Sequence, residues 1–378
     1  MPAFNGQLNS NEIFAALYNM IISQQVFSDN IYETKETLAD MSRVDGSLYG
    51  DTKLYYSTDV LKSFEWTGDA EAQNLLKLHR PEAPECQAIT IDTFRMLPLT
   101  VDNYLSKRAF ATEGAFSSFN SQMLGWMRDT KRVYDATLFN SFVGTTSTNI
   151  GKQTKVINLP QEPDGVDDYN TEAYNRLVAQ AIATDIADLI VDLEDVSRDY
   201  NDYGNLRSFN VDDLVFVWNS EQVNRIKKLD LPTIFHKESL VDKLGEHTLP
   251  ARYFGNVNIT SGTTGGTNIV TRSLIEKDYN TMEPNQPGYD PKKHVFPGDL
   301  LPANTPYEAY ETYGEDHSIV CKIYHKDSIP FMTAFETGTE FFNPRSLTET
   351  HYLIWGYNDL EYLKNYPFVT VKAVSAGA

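Results

Sequence analysis

The chain has 378 residues, 41% hydrophobic and 22% charged, which leaves room for two or three folded modules and excludes a disordered chain. A formal net charge of -20 excludes a specific nucleic-acid binder built on a basic footprint, and fits either plain solubility or a wall that repels DNA. Two cysteines, Cys86 and Cys321, exclude a disulfide framework; with no bilayer-length apolar run and no secretory pattern in MPAFNGQLNSNEIF, a soluble protein made in a cytoplasm is expected.

The first predicted element is a helix from Ser10 to Phe27. Asn9 with Glu12 has the form of a capping box, and Ile13, Leu17, Met20, Ile21, Gln24 and Phe27 follow helical spacing. One amphipathic helix on a terminal arm cannot bury itself, so it must dock elsewhere on the chain or on a neighbour. From Asp51 the character turns extended. LYYSTDVLKSFEW carries Val60, Phe64 and Trp66 on one parity, and ECQAITIDTFRML follows after Pro84. Between them lies a polar, turn-rich stretch with Leu75, Leu76 and Leu78. The economical expectation is one long two-stranded ribbon, which is marginal in water without a partner surface.

A long helix is predicted next, capped by Thr112 and running through Phe116, Phe119, Met123, Trp126, Met127, Tyr134, Leu138 and Phe142, with Gly144 as its stop. A second helix is expected from Thr171 to Val196. Its stripe is Val178, Ile182, Ile186, Leu189, Leu193 and Val196, with Asp185, Asp188, Asp192 and Asp195 on the other side. LVFVW (Leu214–Trp218) has the continuous apolar composition of a buried strand, and Asn219 and Ser220 can cap a short helix to Leu229. The stretch from Thr260 to Tyr313 is rich in Gly, Pro, Asn and Thr and is expected to form loops or an inserted lobe. Strand patterns return in SIVCKIYH, IPFMTAFE, THYLIWGY and FVTVKAV.

Chemistry-bearing motifs are scarce. Ser261–Asn268 is glycine-rich but lacks the Lys-Ser/Thr ending of a phosphate loop, and no nucleophile elbow, H-E-x-x-H or paired C-x-x-C occurs. His317, Cys321 and His325 are zinc-ligand types, yet on a strand the outer two would lie roughly 26 Å apart, too far for one ion. DYNDYGN (Asp199–Asn205) begins like a calcium loop, but Tyr203 and Asn210 stand where ligands are needed, which makes an acidic, tyrosine-containing turn the better expectation. No catalytic, cofactor-binding or metal-binding residue is expected.

The order of parts resembles the Hong Kong 97-type shell fold of tailed-bacteriophage major capsid proteins. Thr93–Gly144, Arg207–Lys228, Ala251–Thr260 and Val320–Leu360, with its aromatic Asn-Pro-Arg turn, are similar to segments of short-tailed phage capsid proteins of the phi-twenty-nine type. The resemblance implies an α+β fold: an N-terminal arm (1–50), an extended ribbon loop (51–110), a peripheral domain with a long helix (111–200), an axial domain with an insertion (201–315) and returning strands (316–378). It further implies a major capsid protein, not an enzyme, that self-assembles through pentamers and hexamers into an icosahedral shell around double-stranded DNA. Other copies of the chain would be its main partners. Portal and scaffolding or decoration proteins would join them, without sequence-specific DNA binding or a membrane. The location would be the virion, assembled in the host cytoplasm. Ile13, Leu17 and Ile21 of the arm and Trp66, Leu75, Leu76 and Leu78 of the ribbon would form subunit contacts. Some relatives crosslink a ribbon lysine, and Lys77 sits in the tip with no identifiable partner. The segment 262–315 is longer than the resemblance leads one to expect, and no appended immunoglobulin-like domain is visible. The rivals are an encapsulin-like compartment shell and, further off, an acidic carbohydrate-active enzyme, which would elute near its monomer mass.

Overall fold

The computed structural model describes residues 37–45, 52–63, 78, 80–102, 113–161, 172–227, 247–264, 268–269, 299–300 and 305–375. The first half contains helix α1 (Leu38–Met41), strands β1 (Arg43–Asp45), β2 (Thr52–Ser57) and β3 (Glu85–Asp102), helix α2 (Glu113–Thr145) and strand β4 (Thr154–Leu159). Helix α3 (Glu172–Glu194), β5 (Leu214–Asn219), α4 (Ser220–Lys227), β6 (His247–Leu249) and β7 (Gly255–Thr264) follow. The remaining strands are β8 (Asn268–Ile269), β9 (Asp299–Leu300), β10 (Thr305–Glu315), β11 (Ile319–His325), β12 (Phe331–Asn343), β13 (Thr348–Asn358) and β14 (Phe368–Ser375). The architecture is α+β. The helix expected at Ser10–Phe27 lies outside the described residues.

The described chain divides into two compact units. One comprises residues 1–52, 90–136 and 331–359; the other takes 53–89, 137–330 and 360–378.

In the second unit a mixed sheet of order β4-β14-β11-β5-β6 forms the centre. Its middle strand β11 is antiparallel to both β14 and β5, and every residue from Ile319 to Tyr324 is buried. All six residues of β5 are buried as well, as the uninterrupted LVFVW run requires of a strand covered on both faces. Helix α3 covers one face. Val178, Ile182, Ile186, Leu189 and Leu193 recur at helical spacing and pack with Ile157, Phe216, Trp218, Cys321, Ile323, Val369 and Val371 in one core. The stripe ends at Leu193: Val196, placed on it by spacing, lies beyond the helix and is exposed, its N–H held by the Asp195 carboxylate at 2.8 Å. The last turns of α2 cover the other face, where Phe142 meets Phe368 edge-on at 6.5 Å.

Gly144 does not stop the long helix, which continues to Thr145. A side chain there would place its Cβ 2.0 Å from the Tyr253 carbonyl oxygen, so the glycine serves close approach of two backbones. The 33 residues of α2 give a rod of about 50 Å. Asn219, at the end of β5, accepts the Glu221 N–H at 3.1 Å and donates to the Ile319 carbonyl at 3.0 Å, joining the cap of α4 to the sheet. The region expected as loops or a lobe contains a long antiparallel pair, β7 with β10, and the short pair β8 with β9.

The other five-stranded sheet has the order β1-β12-β13-β3-β2, of which β1, β12, β13 and most of β3 belong to the first unit. Period-2 alternation puts Leu353, Trp355 and Tyr357 of β13 on one buried face. Tyr134 of α2 packs there, 6.0 Å from Trp355 and 6.1 Å from Tyr357, with the two tyrosine hydroxyls 2.9 Å apart. Lys131 and Asp135, one turn apart, form a buried ion pair at 3.2 Å. Burial pushes the Asp135 carboxyl up, and the Lys131 charge opposes that shift.

Candidate subunit-contact surfaces

Strand β2 shows the alternation of a half-covered ribbon, with Leu54 and Tyr56 exposed and Ser57 buried. Beyond Ser57 the chain is pinned by polar contacts to the turn around residues 198–207. Arg198 Nη1 donates to Asp59 Oδ2 at 2.6 Å, the Leu206 N–H donates to Asp59 Oδ1 at 3.0 Å, and Arg207 donates to the Thr58 carbonyl. Asn205 Nδ2 donates to Ser57 Oγ at 2.8 Å, which in turn donates to Asn365 Oδ1 at 2.5 Å. The Leu206 N–H and the Arg198 guanidinium hold the Asp59 carboxyl down to about 2.

The turn that receives the ribbon root is the acidic stretch Asp199–Asn205. Buried Asn201 donates to the Asn205 carbonyl at 2.7 Å and accepts its N–H at 2.9 Å, and Gly204 takes φ +66°. Asp202 is used in the scaffold, accepting from Gln153 at 2.6 Å and from the Tyr362 hydroxyl at 2.5 Å. These side chains shape an acidic, tyrosine-containing turn.

Past this root the ribbon exposes apolar side chains. Val60 is half exposed, Leu61 is 78% exposed and Leu78 is 81% exposed. Among the described residues the legs are joined by the exposed pair Lys62–Glu82 at 2.6 Å. Of the residues that sequence reasoning singled out, Leu78 stands in solvent. Ile13, Leu17, Ile21, Trp66, Leu75 and Leu76 lie outside the described residues, as does Lys77.

A second exposed apolar surface, missed by sequence reasoning as a contact, is the tip of the β12–β13 hairpin. Phe341 is 63% exposed, and Phe342 and Leu347 are about half exposed. Asn343 Oδ1 accepts the Arg345 N–H at 3.0 Å, and Leu347 is held at φ +55°, a left-handed conformation rare for a leucine. The missed signal was local: two adjacent phenylalanines on a period-2 strand cannot both face one core.

Several further groups with displaced titration sit in the packed interior. Burial depresses Lys322 to about 7, while Nζ donates to the Thr146 carbonyl at 2.7 Å and to Thr370 Oγ1 at 2.8 Å. Burial pushes the Cys321 thiol and the Tyr324 hydroxyl up. His317, Cys321 and His325 occupy three separate environments. His317 meets Glu221 at 2.9 Å, Cys321 is in the core, and His325 stacks on Tyr366 at 4.5 Å.

A protein-family profile described as "Phi29-like phage major capsid protein" matches residues 3–358. A chain from the capsid structure of Staphylococcus phage Andhra superposes with a TM-score of 0.59 at 10% identity, over 99% of this chain and 88% of that one. A chain from a structure of native bacteriophage P68, described by its head fibre and inner core protein, gives 0.57 at 11% identity over 91% and 87%. No curated protein matches.

Proposed function

Since this chain belongs to the Phi29-like phage major capsid proteins, we propose that it builds an icosahedral shell of pentamers and hexamers around double-stranded DNA by exchanging its ribbon and hairpin tip with neighbouring copies. The observation that carries this reading is the ribbon itself: a polar clamp fixes its root, while Leu54, Tyr56, Val60, Leu61 and Leu78 are left in solvent. A neighbour that covered them would supply the burial the lone chain lacks. Standard interfaces remove on the order of 1,600 Å² from water, and a subunit touching several neighbours exceeds that in total. A closed shell then multiplies individually weak contacts.

The arm residues Ile13, Leu17 and Ile21 and the ribbon residues Trp66, Leu75, Leu76 and Leu78 take the role of intersubunit anchors in this scheme. The net charge of -20 keeps packaged DNA from adhering to the wall. The protein works without catalysis, alongside a portal and scaffolding or decoration proteins, and is assembled in the host cytoplasm into the virion. Electron microscopy of the full-length chain, expressed alone and together with the other head proteins of its phage, tests the reading. Closed particles are the expected result. A chain that stays monomeric under both conditions overturns it.

A further inference from the structure

On the helix-facing side of the β12–β13 hairpin, three side chains of metal-ligand type converge. The antiparallel register sets Glu340 directly opposite His351, and Glu349 lies two residues before His351 on the same face. One ligand atom from each of the three lies within 4.8 Å of the other two. His351 Nε2 and Glu349 Oε1 are 3.8 Å apart, too far for a hydrogen bond. That gap is close to the ~3.4 Å between neighbouring ligands of a tetrahedral ion with bonds near 2.1 Å. Glu340 and His351 border a cleft of about 530 Å³ whose wall includes Met127 and Arg128 of α2 and Thr339, Tyr352 and Leu353 of the sheet.

We propose that Glu340, Glu349 and His351 bind a divalent transition-metal ion, with zinc the best fit, that fastens β12 to β13 just below the exposed hairpin tip. An imidazole with two carboxylates suits a borderline cation better than magnesium or calcium, which favour all-oxygen shells. His351 is mostly enclosed and Glu340 is exposed, so the ion has both a fixed ligand and an entry path. Three protein ligands leave at least one position open to water or to an acceptor from outside the hairpin. Spacing along the chain hides this set, because ten residues, the hairpin turn among them, lie between Glu340 and His351. The site does not depend on shell assembly.

Titration calorimetry of the full-length chain with zinc, with magnesium as control, tests the proposal. One saturable zinc per chain is expected, with no comparable magnesium uptake. His351→Gln and Glu340→Gln should each weaken zinc binding by roughly tenfold or more, at least the loss typical of removing a residue that only supports a ligand. Cobalt substitution adds a spectroscopic readout: visible ligand-field bands should appear in the wild type and collapse in His351→Gln. Circular dichroism checks that each variant is folded, and the exposed Glu340 carries the test should His351→Gln misfold. Absence of saturable zinc uptake up to millimolar concentration overturns the proposal. So does uptake of equal affinity in the wild type and both variants, which would put the ion elsewhere.

Discussion

Strand β11 and the ribbon legs both carry large apolar side chains, yet the structure treats them in opposite ways. Ile319 to Tyr324 are all buried, with α3 against one face of the sheet and the end of α2 against the other. Leu54, Tyr56, Val60, Leu61 and Leu78 reach into solvent from a segment whose described polar contacts gather around Ser57 and Asp59. Burying a leucine stabilises by about 1.5–3 kcal/mol, and the ribbon leaves that unrealised several times over. The sheet explains why a lone chain folds. On the proposed reading, the exposed apolar side chains of the ribbon find their partner surface on a neighbouring copy.

Changes that break the sheet should therefore cost the most. Phe216 is fully buried in β5, between the central strand and the α3 core. Phe216→Ala should lose about 3–5 kcal/mol of folding stability, read by denaturant unfolding, and assembly should fail because the subunit does. Gly144→Ala comes next. Its Cβ would meet the Tyr253 carbonyl oxygen at 2.0 Å, backbone that cannot swing away, so about 2–3 kcal/mol should be lost. Stability unchanged in Gly144→Ala would mean that the close approach of α2 to Tyr253 is not required.

Lys322 sharpens the contrast from inside the sheet. Its amine is depressed to about 7 in the folded chain, first by burial and then by Lys372, whereas an unfolded lysine titrates near 10.5. Below pH 7 both states hold the proton, and the folded state bears the full cost of a buried charge. Between 7 and 10.5 the unfolded chain binds the proton the folded chain has released, so wild-type stability rises with pH in that window. Lys322→Met removes the charge but also the bonds to Thr146 and Thr370. The variant should gain about 1–2 kcal/mol at pH 6 and lose that advantage by pH 10. Thermal unfolding at the two values measures it, and an equal difference at both would sink the assignment.

How far these roles could be read beforehand depends on the range of the pattern. The α3 stripe was legible from Val178 to Leu193, because one helical period decides which side chains share a face. Its misplaced end at Val196 shows where periodicity fails: Asp195 still makes the helical bond to the Val191 carbonyl, but Val196 gives its N–H to the Asp195 carboxylate instead. Gly144 looked like a helix stop because the usual demand on glycine is local, whereas here it comes from Tyr253, more than a hundred residues away. The clamp of Asp59 by Arg198 and of Ser57 by Asn205 has no periodic signature, since polar partners about 140 residues apart leave none. The tip residues Phe341 and Phe342 did carry a signal, in their adjacency. The convergence of Glu340 with His351 needed the β12–β13 register, which only the folded hairpin supplies.

The smallest effect on the lone chain should come from the exposed ribbon residues proposed as intersubunit contacts. Leu61→Asp and Leu78→Asp replace side chains that are 78% and 81% exposed, so each should change subunit stability by less than about 0.5 kcal/mol. Placed against a neighbour, the same carboxylates would have to be desolvated in an apolar contact, at a cost repeated in every subunit of a shell. The double variant should fold with wild-type unfolding curves yet give soluble capsomers or single chains where the wild type gives particles, as read by light scattering and electron microscopy. Phe216→Ala loses folding and assembly together; this pair should lose assembly alone. Normal particles from the double variant would show that the exposed legs of the ribbon are not where subunits meet, and would move the search for contacts to the β12–β13 tip.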